Sequence, residues 1–245
     1  MPSTLSSSPT PEQIQEQEYA TLGAYHWGLT LRDYGWMKHF VNYTTVVSTL
    51  QAYLPQSASI LDVGCGDGYC TDLLTRSFRQ VIGIDSSERA LAFARERVPT
   101  SSFQCNDARS ISLPSHSIDG IACVETLEHM PPAVARAVVS EIHRLLRPKG
   151  IFVATVPSDR FPLNPKHYNH YNESSLRTLL APFPVVYIEG SCRTPTHLFD
   201  ICYRLSSNKH WYIPFAQRAL HELYDFCYSR CSPTQGTSLL AMCKM

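Results

Sequence analysis

Between residues 59 and 157, short apolar runs alternate with longer segments whose apolar positions recur every three or four residues. SILDVG, QVIGID, SSFQCND, SIDGIACVE and GIFVATVP have the length and branched-residue content of strands. YCTDLLTRSF, SERALAFARERV and AVARAVVSEIHRLL have helical spacing, and Pro99 stops the second of these. Strands alternating with helices pack as a parallel sheet covered on both faces. RPKG, at 147–150, is a turn signal between the last of those helices and GIFVATVP.

Outside this block the pattern is looser. Residues 1 to about 17 read as a polar, frayed leader. Aromatic and imidazole groups then crowd the stretch from Tyr19 to Phe40, among them Tyr25, His26, Trp27, Tyr34 and Trp36. This stretch suits either a helical lid over a ligand or helices packed on the sheet. VNYTTVVSTLQAYL predicts a helix ending at Pro55, and TSLLAMCKM a closing strand. Some eighty residues, about 158–235, lie between GIFVATVP and that strand, more than a crossover needs. They carry Tyr168, Tyr171, His197, Phe199, Tyr203, Trp211, Tyr212, Phe215, Tyr224 and Phe226. Such an insertion is expected to wall an acceptor pocket as far as about Tyr212, with extra core or a dimer surface as the alternatives. ALHELYDFCY reads as an amphipathic helix used for packing. The expected division is 1–44 as leader and N-terminal lid, and 45–245 as one α/β domain.

Composition narrows the function. The 245 residues are 44% hydrophobic and 17% charged, a globular balance. Lys plus Arg and Asp plus Glu number 21 each, so no bulk positive charge favours a nucleic acid. The start lacks a basic segment followed by an apolar core, and no run reaches the roughly 18 apolar residues of a membrane helix. Nine cysteines without a Cys-x-x-Cys pair read as reduced, packed thiols of a cytoplasmic protein. Cys227 and Cys231 stand at helical spacing, for which a metal or redox role is the lesser reading.

The sharpest local signal is ILDVGCGDGY. Alternate glycines at 64, 66 and 68 allow tight turns and let a ligand approach the backbone. In an open parallel sheet this loop lies at the carboxyl ends of the strands. Its Gly-x-Gly-x-Gly spacing is not the Gly-x-Gly-x-x-Gly of nicotinamide dinucleotide sites, and no Gly-Lys-Ser/Thr follows. Asp85 closes the second strand about 20 residues on, where a carboxylate can accept both hydroxyls of a ribose. Asp107 closes the third. Singly each acid reads as a cap or turn former; three in succession beside a glycine loop read as a site.

With LDVGCGDG, VIGIDSS, CNDA, IDGIACVETLEH and LLRPKGIFVATVP in place, residues 45 to about 180 resemble the class I S-adenosylmethionine-dependent methyltransferases. The resemblance implies a Rossmann-like, doubly wound, seven-stranded and mostly parallel sheet with helices on both faces. Asp62, Gly64, Cys65, Gly66 and Gly68 are then expected around the methionine end of the cofactor. Asp85 and Ser86 would serve the ribose, and Asn106, Asp107 and Ala108 the adenine. Val124 and Glu125 are expected beside the cofactor at the fourth strand's end.

VETLEHM then sets Glu125, Glu128 and His129 directly after a core strand. The pattern resembles that of ubiquinone-biosynthesis O-methyltransferases and of small-RNA 3′-terminal 2′-O-methyltransferases. In the RNA enzymes both glutamates, the histidine and a second histidine bind a divalent ion. Here NPKHYNHYNESSL offers His167, with His170 as rival. Two carboxylates and two imidazoles suit Mn²⁺, Fe²⁺, Co²⁺ or Zn²⁺, and Mg²⁺ with water in its shell. The expected set is therefore Glu125, Glu128, His129 and His167 for metal, with Glu125, His129 and His167 catalytic. A metal-free base at His129 and a purely structural role are the competing readings. The expected function is in-line methyl transfer to a hydroxyl of a small aromatic or polyhydroxylated metabolite, metal-assisted, in a protein for which a homodimer is compatible. Terminal-ribose methylation of RNA, N- or C-methylation, and cofactor binding without catalysis are the alternatives.

Overall fold

Eight strands form a single mixed sheet in the order β3-β2-β1-β4-β5-β8-β6-β7. The structure, a computed structural model, describes residues 8–28, 34–206 and 213–245, without the side chains of 28 and 34–38. Residues 1–7, the side chains of Tyr34 and Trp36, and Trp211 and Tyr212 therefore fall outside the described residues. The strands are β1 (Ser59–Val63), β2 (Gln80–Asp85), β3 (Ser102–Cys105), β4 (Ile118–Val124), β5 (Leu146–Pro157), β6 (Val185–Arg193), β7 (Arg230–Cys231) and β8 (Gly236–Lys244). The helices are α1 (Pro11–Leu22), α2 (Tyr25–Gly28), α3 (Tyr34–Tyr53), α4 (Tyr69–Thr75), α5 (Glu88–Arg97), α6 (Pro132–Leu145), α7 (Glu173–Leu179), α8 (His197–Ser206) and α9 (Pro214–Tyr228), with a 3₁₀ turn at Leu127–His129.

β1 to β5 run parallel, and β8 lies antiparallel between β5 and β6. This is the Rossmann-like α/β arrangement, with eight strands rather than the seven expected. The sequence pattern did not separate β6 from the insertion, and β7 is two residues long. β6 follows Pro184, and its first five residues are at most half-buried, so no clean alternation marks it. Gly190 lets it cross the chain closely: a Cβ there would stand 2.2 Å from the Ser232 carbonyl oxygen.

Strand alternation divides the core. Ile60, Ala122, Val124 and Val153 face α3 and α4, where Val46, Leu50 and Leu74 meet them. Leu61, Val63, Ile121, Cys123 and Phe152 face the opposite way, toward α6 and α7. α6 buries Ala135, Val138, Val139, Ile142 and Leu145, a stripe at helical period, and each large side chain so buried contributes about 1.5–3 kcal/mol. The RPKG turn is an excursion inside β5. Leu146 pairs with Ile118 and Ile151 with Gly120, so residues 147–150 loop out, with Lys149 at φ 68°.

The leader differs from expectation. Thr10 and Gln13 make a reciprocal capping box, and Pro11 starts α1, so ordered helix begins well before residue 17. Among the described residues no helix is long and apolar enough to cross a membrane. Sequential strands run β1, β2, β3 toward one edge and then return to β4 beside β1. That reversal opens a crevice at the carboxyl ends of β1 and β4.

A candidate cofactor cleft and metal centre

A cavity of about 890 Å³ occupies this crevice. Every sequence-predicted site residue except Gly68 lines it: Asp62, Gly64, Cys65, Gly66, Asp85, Ser86, Asn106, Asp107, Ala108, Val124, Glu125, Glu128, His129 and His167. Gly68 instead precedes α4, in the left-handed region at φ 83°. Backbone geometry demands glycine at two cavity positions. Gly64 has φ 75°, and a Cβ there would lie 2.2 Å from Thr126 Cγ2. Gly66 has φ 53°, and its Cβ would lie 2.5 Å from the Tyr19 hydroxyl oxygen. The backbone N–H groups of Gly66 and Ser87 both donate to Asp85, each at 2.9 Å, which ties the first two strand ends together.

Asp62 is buried and accepts a 2.7 Å hydrogen bond from the Thr71 hydroxyl. Burial raises its carboxyl from the usual 3.8 to about 7, the hydrogen bond from Thr71 opposing. The folded state thus holds this proton more tightly than the unfolded chain. That contribution is complete below about pH 3.8 and lost as pH rises through about 7. Asp62→Asn keeps an acceptor for Thr71 and carries no charge to bury. It is expected to melt with the wild type at pH 4 and to exceed it at pH 8.5 by up to about 4 kcal/mol. Paired thermal melts check this; an equal difference at both pH values would refute it.

Asp107 lies two residues beyond β3, half-exposed, with its carboxylate gripped by the Arg109 guanidinium. Those hydrogen bonds hold it below the ordinary aspartate range. Its side chain is thus engaged by a neighbour that the sequence pattern did not single out.

The VETLEHM segment divides. Glu125 follows β4 with φ 48°, and its Oε1 accepts from Asn42 Nδ2 at 3.1 Å. Asn42 is itself buried, donates to Ser238 and accepts from Ser191. Glu128, His129 and His167 converge: one ligand atom from each lies within 4.8 Å of the others. Glu125 is outside that group, so the expected four-residue set reduces to three. The positive φ of Glu125 and the 3₁₀ turn after it aim the two carboxylates differently.

The three converging side chains have complementary chemistry. Glu128 is fully buried, and neither carboxylate oxygen has a hydrogen-bond partner. Burial, then the charge of Glu125, push its carboxyl well above the ordinary range. A carbonyl can only accept, so His129 Nδ1 must carry the proton it shares with the Lys166 oxygen at 3.0 Å. Its Nε2 is left as a lone pair, 3.9 Å from Glu128 Oε1. The same logic runs down a second chain. His170 Nδ1 donates to the Phe161 carbonyl at 3.2 Å, so His170 Nε2 accepts from His167 Nδ1 at 2.8 Å. His167 Nε2 is therefore also a lone pair. His170, the rival ligand, supports His167 instead. Burial lowers His129 to about 4 and His167 to about 3, keeping both rings neutral, as metal ligands require.

Several cavity groups were not anticipated. Asp67, inside the glycine loop, accepts from the His26 backbone N–H at 3.0 Å and pairs with its ring Nδ1, also at 3.0 Å. Trp27 Nε1 donates to the Asp67 carbonyl. α1 reaches both rims of the cleft. Glu16 accepts from Ser87 and Arg89, Glu18 from Lys166, and Glu12 from the Tyr168 hydroxyl. The capping box was the one readable sign of this helix.

Among the described residues of 158–235, Asn164, Lys166 and His167 line the cavity, and none of the described aromatics of the insertion does. Phe199, Tyr203 and Tyr224 instead build a separate core cluster with Val41 and Cys192. α8 and α9 meet through these rings, with Val41 of α3 and Cys192 of β6 completing the cluster.

Residues 60–150 match the sequence model of a family described as a methyltransferase domain. A probable S-adenosylmethionine-dependent methyltransferase of Mycolicibacterium smegmatis is 31% identical over 160 residues, 62% of this chain and 60% of that protein. A ubiquinone biosynthesis O-methyltransferase of Coxiella burnetii is 27% identical over 158 residues, 61% of this chain and 65% of that protein. The chain thus spans less than two thirds of the length of these relatives. Among solved structures, the [4+2]-cyclase SpnF superposes with a TM-score of 0.63 at 19% identity, covering 97% of each chain. At that identity the likeness shows the fold alone.

Proposed function

We propose that this chain is a class I S-adenosylmethionine-dependent methyltransferase, a reading its domain match and relatives support, and that it methylates a hydroxyl oxygen of a polyhydroxylated small molecule with the help of a divalent ion. The observation that carries the metal reading is Glu128: a buried carboxyl with no hydrogen-bond partner among the described residues, converging with a ring nitrogen of each of two imidazoles. A buried charge without a partner is costly, and a cation removes that cost. Glu128, His129 and His167 would hold it, with His170 and the Lys166 carbonyl fixing the two rings. Bound there, a divalent ion supplies a lowered pKa for a hydroxyl and a template that orients it.

The cofactor supplies an electrophilic methyl on a sulfonium. The chain's own groups do the rest. The Gly64–Gly66 turn admits a ligand to within contact of the backbone. Asp85 stands ready to accept ribose hydroxyls, and Asn106 to Ala108 border the base end. α1 and α2 serve as the lid, pinned over the glycine loop through His26 and Asp67 and buried there at Tyr19. Holding acceptor and donor in line under such a cover, away from bulk water, is most of what methyl transfer needs.

The cavity wall supports the acceptor class. Glu12, Gln15, Asn164 and Lys166 line the same cavity as the three converging ligands and offer polar groups that can meet hydroxyls. The name of the Coxiella relative adds support for oxygen as the acceptor atom. The test is transfer of labelled methyl from S-adenosylmethionine into a panel of sugars, polyols and phenols, before and after chelation and with Mn²⁺, Co²⁺ or Zn²⁺ restored. Label in an ether of a polyol, lost on chelation and regained with metal, is expected. Label on nitrogen or carbon, or transfer indifferent to chelation, would overturn the proposal.

A further inference from the structure

α9 buries Gln217 and Tyr224 against the body of the protein, and its opposite face carries Phe215, Ala219, Glu222 and Phe226 along one ridge. Phe215 is 84% exposed and Phe226 89%, a costly placement for two large apolar rings one helix length apart. Leu223 and, on neighbouring α8, Leu198 and Ile201 are exposed as well. Arg218, beside the ridge, forms an ion pair with Glu222 on it, and both are largely exposed.

We propose that this face is an isologous dimer interface, with α9 packed antiparallel against α9 of a second copy. The argument is the symmetry of the ridge. The midpoint between 215 and 226 is also, to within half a residue, the midpoint between 218 and 222. A two-fold axis there sets Phe215 of one copy against Phe226 of the other and Arg218 against Glu222, twice over. Ala219 near the axis allows the backbones to approach. An anionic lipid surface or a strongly charged partner would call for an excess of one sign, whereas this patch is balanced by its own reverse. The two phenylalanines bring roughly 300 Å² per copy, a central part of the ~800 Å² per partner of a stable interface. The aliphatic residues of α8 and α9 extend the patch.

Sedimentation velocity on the full chain tests this, with vesicle flotation run in parallel. The wild type is expected to sediment at twice the chain mass at micromolar concentration. Phe215→Ser with Phe226→Ser is expected to give monomer with an unchanged melting temperature. Arg218→Glu and Glu222→Arg are each expected to weaken the dimer by at least about tenfold, and the double exchange to restore it. A monomeric wild type, a dimer indifferent to the serine pair, a double exchange no better than the singles, or flotation of monomer with vesicles would each overturn the proposal.

Discussion

Glu128→Gln is expected to abolish metal-dependent stabilisation and to lower methyl transfer by about 100- to 1,000-fold, because the substitution preserves shape and removes the one anionic ligand of the trio. A ligand at a hundred times its dissociation constant adds about 2.7 kcal/mol to folding stability. For the wild type that increment should appear on titration with Mn²⁺, Co²⁺ or Zn²⁺. It should be absent in Glu128→Gln and in His129→Ala. Without metal the glutamine variant should be as stable as the wild type or more so, since Glu128 is buried without a partner. A structural role predicts the opposite: both variants would lose stability with and without metal. His170→Ala separates the supporting ring from the ligands. It should weaken metal binding about tenfold through loss of the hydrogen bond that orients His167. Calorimetric metal titration of the four proteins decides between the readings.

The second large effect concerns the glycine loop. Gly64→Val is expected to eliminate detectable cofactor binding. The position has φ 75°, where a side chain costs about 1–2 kcal/mol, more for a β-branched one, and the first added carbon would overlap the Thr126 methyl. The loop must therefore shift, and with it the Gly66 N–H that donates to Asp85. Gly64→Ala with Thr126→Gly removes the overlap, including the 2.9 Å approach to the Thr126 Cβ, and leaves the backbone strain. It should recover part of the affinity, which S-adenosylhomocysteine calorimetry would register. Equal losses in single and double variants would show that the contact with Thr126 is unimportant.

How far the sequence could be read depended on where each partner lay. Glycine spacing and strand-end acids are local consequences of backbone geometry, so Asp62, Gly64, Gly66 and Asp85 were legible without any fold. The role of Asp67 was not, because its partner His26 sits 41 residues away on a helix with few periodic apolar positions. Glu125 and Glu128 looked equivalent in VETLEHM. Only the left-handed backbone at Glu125 and the 3₁₀ turn send one toward Asn42 and the other toward the imidazoles. The aromatic count of the insertion was misleading because Phe199, Tyr203 and Tyr224 satisfy one another. Aromatic content reports burial, and burial can be core or cavity. β6 escaped because a strand with a half-solvated first half, flanked on one side by the two-residue β7, lacks the continuous apolar run of its central neighbours.

The Asn42 hydrogen bonds have a consequence for recombining this fold. One carboxamide joins the segment after β4 to hydroxyls on β6 and β8, so the parallel core and the segment that follows β5 share a polar knot. A chimera that takes its 158–235 segment from a relative lacking both the hydroxyl at 191 and the thiol at 192 removes the two donors that meet the buried Asn42 carbonyl oxygen. Exchange of this segment onto the scaffold therefore has to carry residues 42, 191 and 192 as a matched set.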